Sequence, residues 1–201
     1  MTWAIHFADA AGTLGSHEPR IERSIRAAEA SCGPLHLGPL DVVVQVWPDR
    51  VLPIRGHLGY APMAGMIQLT FDPACPAFEP SLGAPLARTV LHEAHHCARW
   101  AGPGYGATLG ERLVSEGLAC RFAREISGVT EPWEEAVPPP EMDDWTTRAT
   151  RDWDAPARAW DGEHAWTTYS VGSWIVGRAL ERMGETAAGA ARRPAEDFRY
   201  G

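Results

Sequence analysis

The sequence predicts an α+β protein, because its strand-like and helix-like patterns fall largely in separate parts of the chain. Leu40 to Trp47 (LDVVVQVW) and Met66 to Phe71 (MIQLTF) are short apolar runs, stopped by Pro48 and by Asp72-Pro73, and both read as strands. From Pro85 onward, three stretches carry apolar residues at the three- and four-residue intervals of a helix with one buried face. With 201 residues and 45% hydrophobic content, the chain is long enough for one domain with a real core. A single domain over 1–201 is expected, with a tail from about residue 186, rich in Ala, Gly and Arg, held loosely.

Pro19, followed by Ile21, Ile25, Ala28 and Ala30 among Glu and Arg, predicts a first amphipathic helix that ends at Cys32-Gly33-Pro34 and covers one face of a sheet. A third, shorter strand fits between the two strand runs, and Asp72 to Gly83 is a Pro-rich loop. Pro85 suits the first turn of a helix running to Trp100 on a stripe of Leu86, Val90, Ala94, Cys97 and Ala101. Gly102-Pro103-Gly104 breaks it. Thr108 and Glu111 then form a capping-box pattern for a helix to about Ile126, before Gly128. Glu131 to Asp144 (EPWEEAVPPPEMDD) reads as a loop over the surface. A last helix, about Thr167 to Met183, presents Val171, Trp174, Ile175, Ala179 and Leu180. Six of the nine tryptophans fall between Trp133 and Trp174, where aromatic packing should dominate.

The formal charge of −8, from 26 acidic residues against 18 arginines and no lysine, carries no nucleic-acid footprint. Without lysine, mechanisms that need a lysine base or a Schiff base are excluded. No window approaches the ~18 apolar residues of a membrane span, and Met1 to Gly12 lacks a basic start followed by an apolar run. A soluble, cytoplasmic protein without a membrane partner is expected, and its oligomeric state is left open. Cys32, Cys75, Cys97 and Cys120 are scattered with no CxxC pair, as buried reduced thiols would be.

The chemistry concentrates in His92-Glu93-Ala94-His95-His96, which contains H-E-x-x-H. Imidazoles at i and i+4 lie one turn apart, about 40° round the axis, so His92 and His96 can reach one tetrahedral Zn2+ ion. Glu93, about 100° from His92, is placed to hold a water as general base. His95 points elsewhere and is read as a bystander. A recurring catalytic zinc set adds one carboxylate and leaves a position open. Glu116 is the expected third ligand, since it lies on the following helix and Gly117 beside it permits a close helix approach. Glu111 and Glu125 are its rivals, the first better explained as a cap and the second near the helix end. Arg99, about 20° from His92, could bind a substrate carboxylate or form a surface salt bridge.

The order H-E-A-H-H, then T-L-G-E-R-L-V-S-E-G-L-A from Thr108 to Ala119, resembles the gluzincin clan of zinc peptidases, and within it the DUF2268 family of predicted zinc-dependent proteases. The similarity is concentrated in Val90 to Phe122, with a weaker echo in Tyr169 to Val176. It implies a zincin-like fold, with a small mixed sheet packed on a mainly helical body that carries the H-E-x-x-H helix. It also implies a peptide or protein substrate laid along an edge strand, for which Met66 to Phe71 is in the expected place. Tyr169 is the resemblance's first choice for the donor that stabilises the oxyanion, with His164 and Tyr105 behind it. One departure stands out: relatives carry an acid four residues after the ligand glutamate, where this chain has Cys120, read as a packed small residue.

These residues predict a zinc hydrolase, and the resemblance implies a metallopeptidase, in which Glu93 takes a proton from the attacking water and passes it to the leaving amine. Two alternatives remain: a zinc-containing peptide-binding or regulatory domain, and a non-peptidase zinc amidohydrolase. Substrate specificity is not encoded in spacing.

Overall fold

A computed structural model describes residues 3–162 and 166–199. The chain divides into two compact units, the first through Ala98 and the second from Arg99. The architecture is α+β, with a four-stranded mixed sheet and six α-helices among the described residues.

In the first unit the sheet order is β1-β2-β4-β3, from β1 (Ala4–Ala8), β2 (Asp41–Val46), β3 (His57–Met63) and β4 (Met66–Phe71). β1, β2 and β4 are parallel, and β3 runs antiparallel to β4. Helix α1 (Glu18–Ser31) is the crossover that parallel β1 and β2 require. It buries Ile21, Ile25 and Ala28, and it is tied to the start of β1 because Arg26 donates to the Trp3 carbonyl while Glu29 accepts from the Trp3 amide. One sheet face is sealed by Val42, Val44, Ile67, Leu69 and Phe71. The other carries Asp41, Gln45 and Gln68 and keeps Tyr60 in solvent, the alternation of a one-sided sheet.

Two strand assignments differ from expectation. Met66–Phe71 is an interior strand, paired on both sides, so the edge beyond it is β3, which is seven residues long rather than a short addition. Gly59 and Pro62 lower the strand propensity of β3, and Pro62 fits a register shift at Tyr60 to Met63, where a missing N–H is tolerated. β1 was not expected at all, since its five residues offer no continuous apolar run. The Pro-rich stretch after β4 holds the short helix α2 (Phe78–Ser81), where Phe78 meets Phe71 edge-on at 5.8 Å.

Helix α3 (Ala84–Trp100) begins with Pro85 in its first turn and lies along the inner side of the sheet: the Cys97 thiol donates to the Met66 carbonyl at 3.5 Å. At β3, His57 is buried between Ser81 (Nδ1 to Oγ, 3.0 Å) and Thr89 of α3 (Nε2 to Oγ1, 3.0 Å). This links the edge strand to both α2 and α3.

The second unit is built on α4 (Leu109–Ser127) and α6 (Thr167–Met183). Thr108 caps α4 through the capping box with Glu111, and Gly128 at φ 68° ends it in the left-handed conformation open to glycine. The two helices cross at glycines: a Cβ on Gly117 would lie 2.2 Å from the Gly172 carbonyl oxygen, and one on Gly172 would lie 2.3 Å from that of Leu113. Gly117 thus serves contact with α6. Trp174, expected on the buried stripe of α6, is exposed with the Arg178 guanidinium 5.9 Å from its ring centre.

The 131–144 stretch is more structured than a surface loop, because it contains two 3-10 turns and the start of α5 (Met142–Arg151). Trp145 and Trp160 meet at 5.2 Å, with Arg148 close to both rings. Trp153 packs on Gly110, where a Cβ would come within 2.3 Å of the indole. The C-terminal segment is anchored as well. Ala187, Ala190, Ala191 and Phe198 are buried, and Glu125 accepts from the Ala187 amide. Among the described residues no helix is long and apolar enough to cross a membrane.

Candidate metal centre

Helix α3 presents the two imidazoles on one face. Their Nε2 atoms are 3.0 Å apart, with ring centroids at 4.7 Å and planes at 83°. This is the arrangement expected when two side chains one turn apart aim at a common point. His96 is buried and His92 partly so, whereas His95 is fully buried and outside the convergence. Glu116 of α4 is buried too, at 4% exposure. His92, His96 and Glu116 each offer one ligand atom, and these atoms all lie within 4.8 Å of one another.

The donor set fits a zinc ion. Two neutral imidazole nitrogens and one carboxylate oxygen leave a fourth tetrahedral position for water, as in catalytic rather than structural sites. The thiols of Cys32 and Cys97 are pushed up to about 12, chiefly by burial, so neither offers a ready thiolate near neutral pH.

Glu93 is 7% exposed and faces β3. A Cβ on Gly59 would fall 2.6 Å from Glu93 Cγ and 3.0 Å from Glu93 Oε1, so only glycine at this strand position leaves the carboxylate its present place. The same absent Cβ would be 2.8 Å from Thr89 Cγ2, one turn earlier on α3.

The rival acids have other partners. Glu111 accepts from the amides of Ala107 and Thr108, and these bonds hold its carboxyl below the ordinary carboxylate value. Glu125 accepts from the Ala187 amide. Arg99 is not on the surface: at 1% exposure it donates to the carbonyls of Ala191 and Arg193, and burial pushes its pKa down to about 10. Cys120 is fully buried.

Tyr169 lies half-buried in the first turn of α6, edge-on to Trp166 at 5.4 Å, and Trp166 in turn lies 5.7 Å from Trp133. Trp166 precedes the helix at φ 71°, an uncommon conformation for a bulky residue. His164 lies outside the described residues. Tyr105, third among the expected donors, gives its phenolic hydrogen bond to Glu116 Oε1. This contact and the Gly59 approach were not anticipated. Their only trace in the sequence is a pair of glycines around Tyr105 and a glycine in a strand.

No curated protein and no solved structure matches the chain. A family model described as predicted Zn-dependent protease (DUF2268) matches residues 42–199, most of the chain and all of the residues gathered at this centre. The chain belongs to the DUF2268 family.

Proposed function

We propose that this protein is a zinc-dependent peptidase of the gluzincin type, with His92, His96 and Glu116 as ligands and Glu93 as general base. The observation that carries the reading is the three-donor convergence, with a buried carboxylate next in sequence to a ligand. A purely structural zinc site is more often closed by four protein ligands and has no use for Glu93. Zinc bound there supplies a Lewis acid for the scissile carbonyl and a water whose pKa falls toward ~7.

The chain's own residues do the rest. Glu93 accepts the proton of the attacking water and returns it to the departing amine, so one carboxylate serves both halves of the reaction. Its burial against β3 limits its conformers, which favours a fixed direction for that proton. Tyr169 is the proposed donor to the oxyanion, a charge that develops only in the transition state. The substrate is a peptide or protein.

The test pairs zinc content with cleavage of a mixed peptide library, for wild type and Glu93→Gln. The reading expects about one zinc per chain in both and a loss of at least ~10²-fold in turnover for the variant. Full zinc content without cleavage by either protein would favour a binding domain. Cleavage untouched by Glu93→Gln would remove the mechanism.

A further inference from the structure

We infer that Tyr105 is a positioning residue for the third ligand: its phenol holds Glu116 Oε1, so that Glu116 meets the metal through its other oxygen alone. The inference rests on the zinc reading and adds to it the mode of carboxylate ligation and the residue that sets it.

Tyr105 is gripped at both ends by consecutive residues of α4. Ser115 Oγ donates to the Tyr105 carbonyl at 2.9 Å, and the Tyr105 hydroxyl donates to the carboxylate of Glu116, the next residue along. The turn that brings the side chain back onto α4 depends on its flanking glycines. Gly104 at φ 86° and Gly106 at φ 104° occupy a region that side-chain-bearing residues rarely adopt. A Cβ at Gly106 would also fall 2.1 Å from Glu111 Cβ. Glu111 fixes the end of the turn by accepting from the amides of Ala107 and Thr108, and the Gly104 amide donates to the Arg99 carbonyl at 2.9 Å. The Tyr105 ring has the Trp100 ring beside it at 6.1 Å, so it is held laterally as well.

A surface tyrosine needs none of this. The construction delivers one neutral donor to one oxygen of a buried carboxylate. Ligating carboxylates are themselves commonly hydrogen-bonded, and loss of such a partner weakens metal binding. A phenol bound to Oε1 takes up part of that oxygen's accepting capacity, which on this inference leaves the other oxygen of Glu116 as the one that would hold the ion.

The experiment compares wild type, Tyr105→Phe, Glu116→Ala and the double variant. Zinc affinity is read by competition with a chromophoric chelator, and coordination by the visible spectrum of the cobalt-substituted proteins. Tyr105→Phe keeps the ring, and its metal-free melting temperature should stay close to wild type. Its zinc affinity should fall about 10–100-fold, and its cobalt bands should change as Glu116 is released to ligate through both oxygens. In the Glu116→Ala background the same substitution should have no further effect, because Tyr105 acts through Glu116.

Unchanged affinity and spectrum in Tyr105→Phe overturn the inference and leave the zinc reading intact, including the case where only kcat falls and Tyr105 proves to be a direct donor to the reacting group. An equal loss in both backgrounds overturns it as well. A wild type that binds no zinc overturns the reading underneath. Should Tyr105→Phe not fold, Ser115→Ala retains the phenol and loosens its anchor; a smaller loss of zinc affinity with the same spectral trend then supports the inference, and none refutes it.

Discussion

Gly59 on the edge strand and Glu93 on helix α3 are in contact across a space that a single methyl would close, with the absent Cβ 2.6 Å from Glu93 Cγ. Gly59→Ala therefore has to displace the proposed base, the strand or both. Overpacking of this kind costs about 1–3 kcal/mol of stability. A shift of about 1 Å in a reacting carboxylate can cost ~10²-fold in rate. The expected phenotype is normal zinc content and little change in KM, with kcat down by about 10–100-fold. A variant that loses zinc in proportion to activity would instead mean that the glycine supports the ligands rather than the base.

The crossing of α4 and α6 makes a sharper stability prediction, since the atoms facing Gly117 and Gly172 are backbone carbonyls that have nowhere to go. Gly172→Ala should cost about 3 kcal/mol, or roughly 6–12 °C in Tm for a chain of this size. Gly177→Ala offers the contrast. Its Cβ would meet the end of the Arg121 side chain at 1.9 Å, and a guanidinium can swing away at the loss of one hydrogen bond, from Nε to the Ser173 carbonyl. That loss amounts to about 1 kcal/mol. Equal destabilisation by the two substitutions in thermal melts would contradict the distinction between backbone and side-chain obstruction.

Thiol reactivity should follow burial. Cys75 is half-buried and donates to the Pro53 carbonyl at 3.3 Å, whereas Cys32, Cys97 and Cys120 are buried. Burial, aided by Glu29 beside Cys32 and Glu93 beside Cys97, pushes both of these thiols up to about 12, so few thiolates form even at mildly alkaline pH. An aromatic disulfide reagent should label one thiol rapidly in the native protein and all four after denaturation, and Cys75→Ser should abolish the rapid phase. A rapid phase that survives Cys75→Ser would show that one of the buried cysteines is reached by an opening of the structure.

The parts of the fold legible in the sequence are those in which neighbours along the chain are also neighbours in space. His92 and His96 face one point because four residues make about one helical turn, and Thr108 with Glu111 closes a cap that needs nothing outside its own turn. The bounds of α3, α4 and α6 followed from the same local logic. β1 is hidden, and β3 is foretold only as a shorter strand without bounds, because an edge strand owes its place to a partner found elsewhere in the chain, and β3 contains Gly59 and Pro62, which no propensity scale favours in a strand. Gly117 announces a close approach in the sequence, but the helix it admits is α6, since a glycine advertises clearance without saying what fills it. The Tyr105 contact with Glu116 was obscured in the same way: it depends on two positive-φ glycines whose effect on chain direction is not written in spacing.

His57 supplies a pH prediction whose sign follows from its surroundings. The ring is buried between Ser81 and Thr89, and its pKa is pushed down to about 4, first by burial and then by the nearby Arg55 charge. In the unfolded chain an imidazole titrates near ~6.5. Above that pH neither state carries the proton, and the contribution of this group to stability is fully present. As pH falls from about 6.5 to about 4, the unfolded state binds a proton that the folded state refuses, and stability is lost across this window. The full difference is on the order of 3 kcal/mol. Urea unfolding at a series of pH values between about 7 and 4.5 should show wild type losing stability faster than His57→Gln, which retains a polar side chain of similar reach but does not titrate. Carboxylates affect both proteins alike, so the difference between their slopes isolates the histidine. Parallel slopes would show that His57 takes up its proton in the folded state, through a rearrangement of the hydroxyls around it.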